Sequence, residues 1–310
     1  MNVLSLFDGK SSGYTAMELA GIPVTNYYSA EIDKYAIQVS NAIHPNQVRF
    51  GDVTKWREWN IDWASIGYVF AGSPCQGLSI AGKQLALDDP RSALFYVFKD
   101  ILNHIKSVNK NVLFMLENVE LKGRAKESES IITDYMEESP ILINSSLVSA
   151  QNRVRNYWSN IPIDQPTDRC ILLGDILEPN LPDCPVGYAV REKSKCLRVG
   201  GRNSPFGDKH EWDSPFQRIS KKCKVKPGIT KSGCLTGGAN SGGNHSDMDI
   251  IHSPFATRRY TPRECFRLQT TPEYYIDKIL NCGVSNTQLY KIAGNGWTDE
   301  VIAHILRSSI

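Results

Sequence analysis

Residues 2–21 read NVLSLFDGKSSGYTAMELAG, and this stretch contains the elements of a strand, a tight loop and a helix in immediate succession. NVLSLF is a short apolar run of the kind that forms a buried strand, whereas YTAMELAG has a helical composition. The helix is expected to close on Gly21, because glycine is favoured just after a helix C-terminus. The stretch therefore predicts a strand-loop-helix unit.

The same succession recurs through the first half of the chain. Four further strands are expected in VTNYYSAEID, QVRFGDV, IGYVFAGSP and NVLFMLENV, and further helices in KYAIQVSNAI and SALFYVFKDILNHIKSV. Such alternation predicts an α/β protein in which helices cover both faces of a parallel sheet. Ligands of such sheets bind at the carboxyl ends of the strands, so the functional residues are expected there.

The composition is that of an ordinary globular protein. The chain has 310 residues, of which 41% are hydrophobic, so it can bury one large core or a core with a smaller appendage. No uninterrupted apolar run approaches the ~18 residues that cross a bilayer, which predicts a cytoplasmic protein without membrane contact. The eight cysteines form no C-x-x-C pair, so free thiols are expected, without a metal site or a disulfide framework.

Positive charge is concentrated in one part of the chain. Residues 191–226 contain eleven Lys or Arg and four acidic residues, a balance of +7, whereas the whole chain carries +2 and the remainder therefore −5. The glycine-rich stretch PGITKSGCLTGGANSGGNHSD follows directly. Together they predict a loop-rich insert at about 164–252. A basic run alone fits a solvated face as well as a nucleic-acid contact.

The first loop and the next two strand ends carry residues suited to a nucleoside. Gly9 and Gly13 allow the backbone to approach a ligand closely, and the helix that follows offers unpaired N–H groups. Glu31 ends the second expected strand, where an acid can accept hydrogen bonds from both ribose hydroxyls. Asp52 ends the third, in reach of an adenine amino group. Singly, these residues also fit a plain turn and helix-capping acids.

The fourth and fifth strand ends carry residues suited to nucleophilic chemistry. Pro74 shapes a turn that projects Cys75 from the rim of the sheet, where the thiol can ionise and attack. Glu117 ends the fifth strand with a carboxyl group able to hydrogen-bond and protonate a heterocycle. Arg153 and Arg155 are two residues apart, so both project from one face of an extended segment.

In this order, the motifs resemble those of the DNA (cytosine-5) methyltransferases, with a spacing most similar to the de novo-type enzymes and to short bacterial and phage relatives. LFDGKSSG resembles the family's S-adenosylmethionine loop, GSPCQGLS its Pro-Cys motif, and LENV its Glu-Asn-Val motif. QNRVRNYW resembles its Gln-x-Arg-x-Arg motif, and RRYTPRECFRLQ the segment that supports the recognition domain. AGNGWT resembles the final motif, which folds back beside the cofactor.

The resemblance implies a Rossmann-like S-adenosylmethionine-dependent methyltransferase fold with a small, loop-rich target recognition domain inserted into it. The catalytic domain is then discontinuous and consists of residues 1–163 and 253–310. The target recognition domain occupies 164–252, and its basic balance fits contact with the phosphates of double-stranded DNA. The target sequence, a restriction partner and the formation of a homodimer or larger oligomer stay open.

The resemblance also implies the catalytic roles. Cys75 adds to C6 of a cytosine that has flipped out of the duplex, which makes C5 electron-rich enough to accept a methyl group. Glu117 hydrogen-bonds N3 and the exocyclic amine of that base. Arg153 contacts the base, and Arg155 supports the pocket or the nearby phosphate. An RNA cytosine methyltransferase and a cofactor-binding regulatory homologue without catalysis are the two alternative functions.

The implied cofactor is S-adenosyl-L-methionine, with S-adenosyl-L-homocysteine as the product. The residues expected to bind it are Phe7, Asp8, Gly9, Lys10, Ser11, Ser12, Gly13, Glu31, Ile32, Asp52, Val53, Gly72, Pro74, Asn295, Gly296 and Trp297. Lys10 departs from the family, in which this position is usually apolar. It is expected to be a solvated loop lysine, and the sharper hypothesis is that it selects a cofactor variant with an extra carboxylate.

Overall fold

The computed structural model describes residues 1–72, 90–121, 126–178, 188–190, 193–194, 216–218 and 260–310, without the side chains of 90–93, 188–190 and 216–218. Pro74 and Cys75 lie outside the described residues, as does most of the expected recognition domain. Among the described residues, no helix combines the length and apolarity needed to span a bilayer.

The strands, in chain order, are β1 (Asn2–Leu6), β2 (Asn26–Ala30), β3 (Val48–Arg49), β4 (Ile66–Ala71), β5 (Leu113–Val119), β6 (Ile141–Asn144), β7 (Val154–Ser159), β8 (Tyr188–Val190) and β9 (Phe216–Arg218). The helices are α1 (Ser12–Leu19), α2 (Lys34–Ile43), α3 (Pro90–Val108), α4 (Lys126–Met136), α5 (Leu173–Ile176), α6 (Pro262–Leu268), α7 (Glu273–Leu280), α8 (Asn286–Asn295) and α9 (Asp299–Arg307). Short 3₁₀ helices lie at Val53–Glu58, Trp63–Ser65 and Ser145–Leu147.

The main sheet has seven strands in the order β3-β2-β1-β4-β5-β7-β6. β1 pairs in parallel with β2 on one side and β4 on the other, and β4 pairs in parallel with β5. The strand order therefore reverses between β1 and β4, which is where open α/β sheets bind their ligands. This architecture confirms the expected Rossmann-like fold.

One strand of the main sheet departs from the expected parallel arrangement. The five strands predicted from the sequence are present and parallel, but β7 runs antiparallel to both β5 and β6. β6 and β7 are joined by a short connection, and a parallel pair requires a crossover of a dozen or more residues. The reversal places the start of β7 at the carboxyl end of β5, with Arg155 paired to Val119.

Side chains on the central strands alternate between two buried layers. Leu4 and Leu6 of β1 belong to the hydrophobic cluster that includes Phe98 of α3. Val3 belongs to the cluster on the opposite face, with Met17 of α1. Because both faces are covered, the strands read as nearly continuous apolar runs in the sequence.

The C-terminal part of the chain returns to the sheet. Val301, Ile302 and Leu306 of α9 are fully buried in the same cluster as Ala16 and Met17 of α1. Residues 260–310 thus pack on the first part of the chain, and the two form one buried core there. The packing also carries the segment between α8 and α9 to the carboxyl ends of the strands.

Two described residues of the basic segment are attached to this catalytic framework. Ser194 exchanges backbone hydrogen bonds with the segment before β7, donating to Ala150 and accepting from Asn152 at 2.6 and 2.7 Å. The Lys193 ammonium donates to the carbonyls of Ser146, Ser149 and Ile171. Lys193 therefore serves as an attachment point in this structure, although it was counted among the basic residues expected to face phosphates.

A buried histidine joins three helices. The His44 ring, which follows α2, stacks on Tyr14 of α1 with centroids 4.2 Å apart and meets the edge of Tyr275 of α7 at 4.8 Å. Its Nε2 lies 3.0 Å from Thr15 Oγ1. Burial, with the positive charge of Lys10 as the next cause, lowers the pKa of His44 from 6.5 to about 3. His44 is therefore neutral in the folded protein at neutral pH.

This pKa makes the protein sensitive to acid. The unfolded chain protonates His44 below 6.5 while the folded chain resists protonation until about 3, so stability falls as the pH drops through that window. Below pH 6.5, His44 is expected to lower the free energy of unfolding by up to about 1.4 kcal/mol per pH unit, and His44→Gln is expected to remove this loss. Urea unfolding at pH 7, 6 and 5 measures it.

Asp8 acts in the opposite direction, because its pKa is raised from 3.8 to about 6 and the folded state binds its proton first. The wild type and His44→Gln both retain Asp8, so the difference between their stability curves reports the effect of His44. The half-buried His104 provides the control, and His104→Gln is expected to keep the acid sensitivity of the wild type. Parallel stability curves for wild type and His44→Gln would refute the prediction.

Candidate active site

A cavity of about 370 Å³ lies at the carboxyl ends of β1, β4 and β5, where the strand order reverses. Its walls come from the loop after β1, the ends of β2, β4 and β5, the start of β7 and the end of α8. The described residues contain no group of His, Cys, Asp or Glu arranged to hold a metal ion. Because its walls come from both ends of the chain, the cavity brings together motifs that are distant in the sequence.

The loop after β1 has an unusual backbone. Phe7, Gly9 and Ser11 all have positive φ values, of 57°, 58° and 65°. A Cβ added at Gly9 would meet no atom within 4 Å, so this position is open on the cavity side. Phe7 and Gly9 both line the cavity, as expected for a loop that approaches a ligand.

Glu31 braces this loop from the end of β2. Its carboxylate accepts hydrogen bonds from the backbone N–H groups of Gly9, Ile32 and Asp33, each at 2.8 Å. Glu31 lines the cavity. The next side chain, Ile32, is 78% exposed, an unusual position for a large apolar residue. An acid and an exposed apolar surface thus lie side by side at this strand end.

Asp8 and Gly13 support the loop from below. The Asp8 carboxylate is buried and accepts from Tyr27 Oη at 2.7 Å and from Ser11 Oγ at 2.5 Å. Burial is the main cause that raises its pKa to about 6. A Cβ at Gly13 would lie 2.7 Å from Tyr27 Oη and 2.8 Å from a Phe70 ring carbon. Gly13 therefore permits close packing of α1 on the sheet.

Lys10 corrects an expectation, because it is not a solvated loop residue. Its side chain is fully buried, and the ammonium donates to both carboxylate oxygens of Asp299 at 2.8 and 2.7 Å. The charge is neutralised inside the protein, which also removes the basis for selection of a carboxylated cofactor variant. No local sequence pattern predicts this pair, because Lys10 and Asp299 are 289 residues apart.

Asp52 and Val53 are not among the described residues that line the cavity. The exposed Asp52 carboxylate caps the 3₁₀ helix that follows, accepting from Thr54 N at 2.9 Å and Thr54 Oγ1 at 2.8 Å. The bond from the Thr54 N–H is the main cause that lowers the pKa of Asp52. Val53 is buried in the core, and the buried Ser12 likewise faces inward at the start of α1.

Glu117 lies on the opposite wall and is held from two sides. Arg155 Nε lies 2.9 Å from one carboxylate oxygen, and Trp297 Nε1 donates to the other at 3.1 Å. Glu117 is only 8% exposed, and both Glu117 and Arg155 line the cavity. The Glu117 carboxyl group is thus fixed in orientation at the end of β5, with a cation against one of its oxygens.

The segment between α8 and α9 is fixed by Arg153 and Gly72. Arg153 donates to the carbonyl oxygens of Gly294 and Gly296 at 3.3 and 2.9 Å, which suits a cation at the end of α8. A Cβ at Gly72 would lie 2.8 Å from Trp297 Nε1, so β4 ends against this indole. Asn295, which is exposed, and Gly296 complete this wall.

The sequence reasoning did not assign several residues of the cavity wall to the site, among them Lys291, Asp33 and Asn118. Lys291 Nζ lies 2.7 Å from Asp33 Oδ2, and this ion pair links α8 to the start of α2. Asn118 also lines the cavity, and its buried Nδ2 has no hydrogen-bond partner among the described residues. Two sequence signals point to these residues. Asp33 is the N-cap of α2, a position at which Asp is favoured, and Asn118 lies within the Glu-Asn-Val motif.

The arrangement separates two chemical environments along one cavity. The side formed by Gly9 and Glu31 offers an open backbone and an acid, and the exposed Ile32 follows Glu31 directly in the chain. The side formed by Glu117 and Arg155 offers a fixed carboxylate beside a cation. Gly72, at the end of β4, also lines the cavity, and the Pro-Cys motif follows it directly in the sequence.

Comparison with known proteins identifies the family of this chain. A family model described as C-5 cytosine-specific DNA methylase matches residues 1–168 and 186–310. The chain is similar to the type II methyltransferase M.NlaX of Neisseria lactamica, with 32% identity covering 98% of this chain and 94% of that protein. It is 29% identical to the type II methyltransferase M1.ScrFI of Lactococcus lactis subsp. cremoris, over 88% and 68% of the two chains.

Solved structures of low sequence identity share the fold. The Entamoeba histolytica methyltransferase EhMeth superposes with a TM-score of 0.69 at 15% identity, covering 99% of this chain and 97% of that one. A variant of Spodoptera frugiperda DNMT2 superposes with a TM-score of 0.65 at 18% identity, covering 99% and 98%. Because the family model spans both sequence-distant halves of the cavity and M.NlaX aligns with nearly the whole chain, this protein belongs to the C-5 cytosine-specific DNA methylases.

Proposed function

We propose that this DNA cytosine-5 methyltransferase transfers a methyl group from S-adenosyl-L-methionine to C5 of a flipped cytosine in duplex DNA, with Cys75 as the nucleophile. The observation that carries the proposal is the fixed Glu117 carboxylate, which shares one cavity with the Gly9 and Glu31 loop. A base and a nucleoside cofactor can therefore meet between β1, β4 and β5.

The residues around Gly9 fit S-adenosyl-L-methionine. Glu31 has carboxylate oxygens at the cavity wall for ribose hydroxyls, and the 78% exposed Ile32 offers an apolar surface to a flat adenine ring. The open position at Gly9 and the exposed Asn295 border the remaining space. When bound, the cofactor supplies an electrophilic methyl group on a sulfonium. Asp8, Lys10 and Gly13 support this loop from its buried side.

Glu117 activates the base. A carboxyl group in hydrogen-bond contact with N3 and the exocyclic amine stabilises the negative charge that develops in the ring during nucleophilic addition. Arg155 and Trp297 hold this group in place, so little reorganisation is needed when the base arrives. We assign the contact nearest the base to Arg155, and to Arg153 the support of the Gly294 and Gly296 carbonyls.

Cys75 supplies the electrons. Its thiolate forms a bond to C6, and the electrons of the C5–C6 double bond move toward C5. C5 then takes the methyl group as its bond to the sulfonium sulfur breaks, and S-adenosyl-L-homocysteine leaves with that electron pair. Loss of the C5 proton to a base then re-forms the double bond and expels the Cys75 thiolate, which restores the enzyme. The target cytosine has to leave the base stack, because neither C5 nor C6 is accessible to these groups inside a duplex.

The DNA contact is assigned to the basic segment. We propose that residues 1–163 and 253–310 form the catalytic domain and that 164–252 form the target recognition domain. The +7 balance of residues 191–226 supports phosphate contact, and the hydrogen bonds of Lys193 and Ser194 bring these two residues beside the Gln-x-Arg-x-Arg motif.

Replacement of Cys75 tests the nucleophile. Cys75→Ala is expected to abolish methylation of duplex DNA, because no other group can form the bond to C6. The wild type is expected to form a covalent adduct with a duplex that carries 5-fluorocytosine at the target, in the presence of S-adenosyl-L-methionine. Denaturing electrophoresis and peptide mapping measure the adduct and locate its attachment.

The exposed cysteine Cys170 provides the matched control, and Cys170→Ala is expected to methylate and trap like the wild type. Methylation by Cys75→Ala at the wild-type rate would refute the mechanism. Transfer RNA is assayed beside the duplex. Preferential methylation of RNA would favour the alternative RNA methyltransferase, and cofactor binding without methylation of either would favour the regulatory homologue.

Replacement of Glu117 tests the activating carboxyl group. Glu117→Gln keeps the size of the side chain but cannot transfer a proton to N3, so kcat is expected to fall by roughly 10²- to 10³-fold. Steady-state kinetics with DNA and cofactor both saturating measure this loss, and KM for DNA is expected to change little. The exposed Glu127 of α4 serves as the control residue, since Glu127→Gln leaves the cavity intact. A kcat within about twofold of the wild type would remove Glu117 from the mechanism.

A further inference from the structure

The ion pair between Lys10 and Asp299 is the most deeply buried charge contact among the described residues. Both side chains are completely inaccessible to solvent, and the Lys10 ammonium reaches both oxygens of the Asp299 carboxylate. Asp299 also accepts a hydrogen bond from Thr271 Oγ1 at 2.8 Å, and its own N–H donates to Gln269 O at 2.9 Å. The carboxylate is therefore fixed from several directions.

Stability alone does not explain this pair. Removal of two charges from water is costly, and apolar residues of similar volume often replace a buried ion pair without loss of stability. An ion pair does fix the relative position of the two segments that carry it, because its energy depends on distance and direction. The position of the segments joined by Lys10 and Asp299 is therefore the property to consider.

The two segments belong to opposite walls of the cavity. Lys10 directly follows Gly9, which lines the cavity on the cofactor side. Asp299 is two residues beyond Trp297, whose indole donates to the Glu117 carboxylate. Lys10 also underlies the connecting segment, because its Cε would lie 3.6 Å from a Cβ at Gly296.

We propose that Lys10 and Asp299 are positioning residues that couple the cofactor loop to Glu117 through Trp297. This inference rests on the proposed function, in which Gly9 borders the cofactor and Glu117 acts on the base. Occupation of the cofactor side holds the loop, the ion pair transmits its position to the start of α9, and the Trp297 indole then holds the carboxyl group at the reacting base.

The test replaces the pair by an apolar one. The double variant Lys10→Met with Asp299→Leu is expected to unfold near the wild-type temperature, because apolar residues often replace a buried ion pair without loss of stability. Its affinity for S-adenosyl-L-homocysteine, measured by calorimetry, is expected to fall by about 10-fold, and kcat by roughly 10- to 100-fold. KM for DNA is expected to remain unchanged, since neither residue lies on a surface.

The control removes an ion pair that is far from the cavity. Arg57 and Asp100 form an exposed pair 3.5 Å apart, and the double variant Arg57→Met with Asp100→Leu is expected to match the wild type in all three measurements. A folded Lys10 and Asp299 double variant with wild-type affinity and kcat would overturn the proposal. Lack of cofactor binding or methylation by the wild type would instead refute the proposed function.

Two further measurements apply if the double variant does not fold. Asp299→Glu keeps the charge but displaces the carboxylate, and it is expected to lower kcat without a change in KM for DNA. In the wild type, S-adenosyl-L-homocysteine is expected to slow hydrogen exchange at the N–H groups of Asp299 and Glu300, which bond to Gln269 O and Thr270 Oγ1 outside the cavity. Protection at Gly9 without protection at these two positions would contradict the coupling.

Discussion

The closure of the last described segment onto the first loop is the constraint on which the site depends. The cavity has one wall from the strands of the N-terminal half and another from the end of α8. The two walls are joined by directional contacts, namely Trp297 to Glu117, Arg153 to two carbonyls and Lys10 to Asp299. Without this closure, Glu117 would keep Arg155 against one carboxylate oxygen but lose the Trp297 donor on the other.

The carboxylates held by these contacts differ in their accessibility. Glu117 is held by one cation and one neutral donor, which leaves the carboxylate accessible from the cavity. Asp299 is held by a cation and a hydroxyl in a place that no ligand reaches. The protein thus uses an accessible charge for chemistry and an inaccessible charge for geometry, and the family's α/β sheet provides the rigid frame for both.

The sequence predicted the elements whose signals are local. The five strands and the helices between them follow from apolar runs, glycine turns and terminal acids, all of which lie within about 20 residues of one another. Glu31 and Glu117 could be placed because strand ends in a parallel sheet converge on one edge. Arg153 and Arg155 could be placed near the site because of their spacing, although their separate contacts could not.

Long-range pairing escaped the sequence reasoning for a physical reason. In the sequence, Lys10 has the features of a solvated loop residue. Its partner Asp299 comes close only when α9 packs against α1. The reversed direction of β7 depends on a short connection to β6 whose path local propensity does not fix. Gly13 was assigned to ligand approach, yet it makes room for Tyr27 and Phe70, which belong to later strands.

The return of α9 to α1 has a consequence for synthesis of the chain. The apolar face of α1 emerges first from the ribosome, but its covering helix begins at Asp299. At translation rates of 5–20 residues per second, roughly 15 to 60 seconds pass before that cover exists. During this interval the nascent chain exposes an adhesive surface that chaperones can occupy, and it carries no finished cavity.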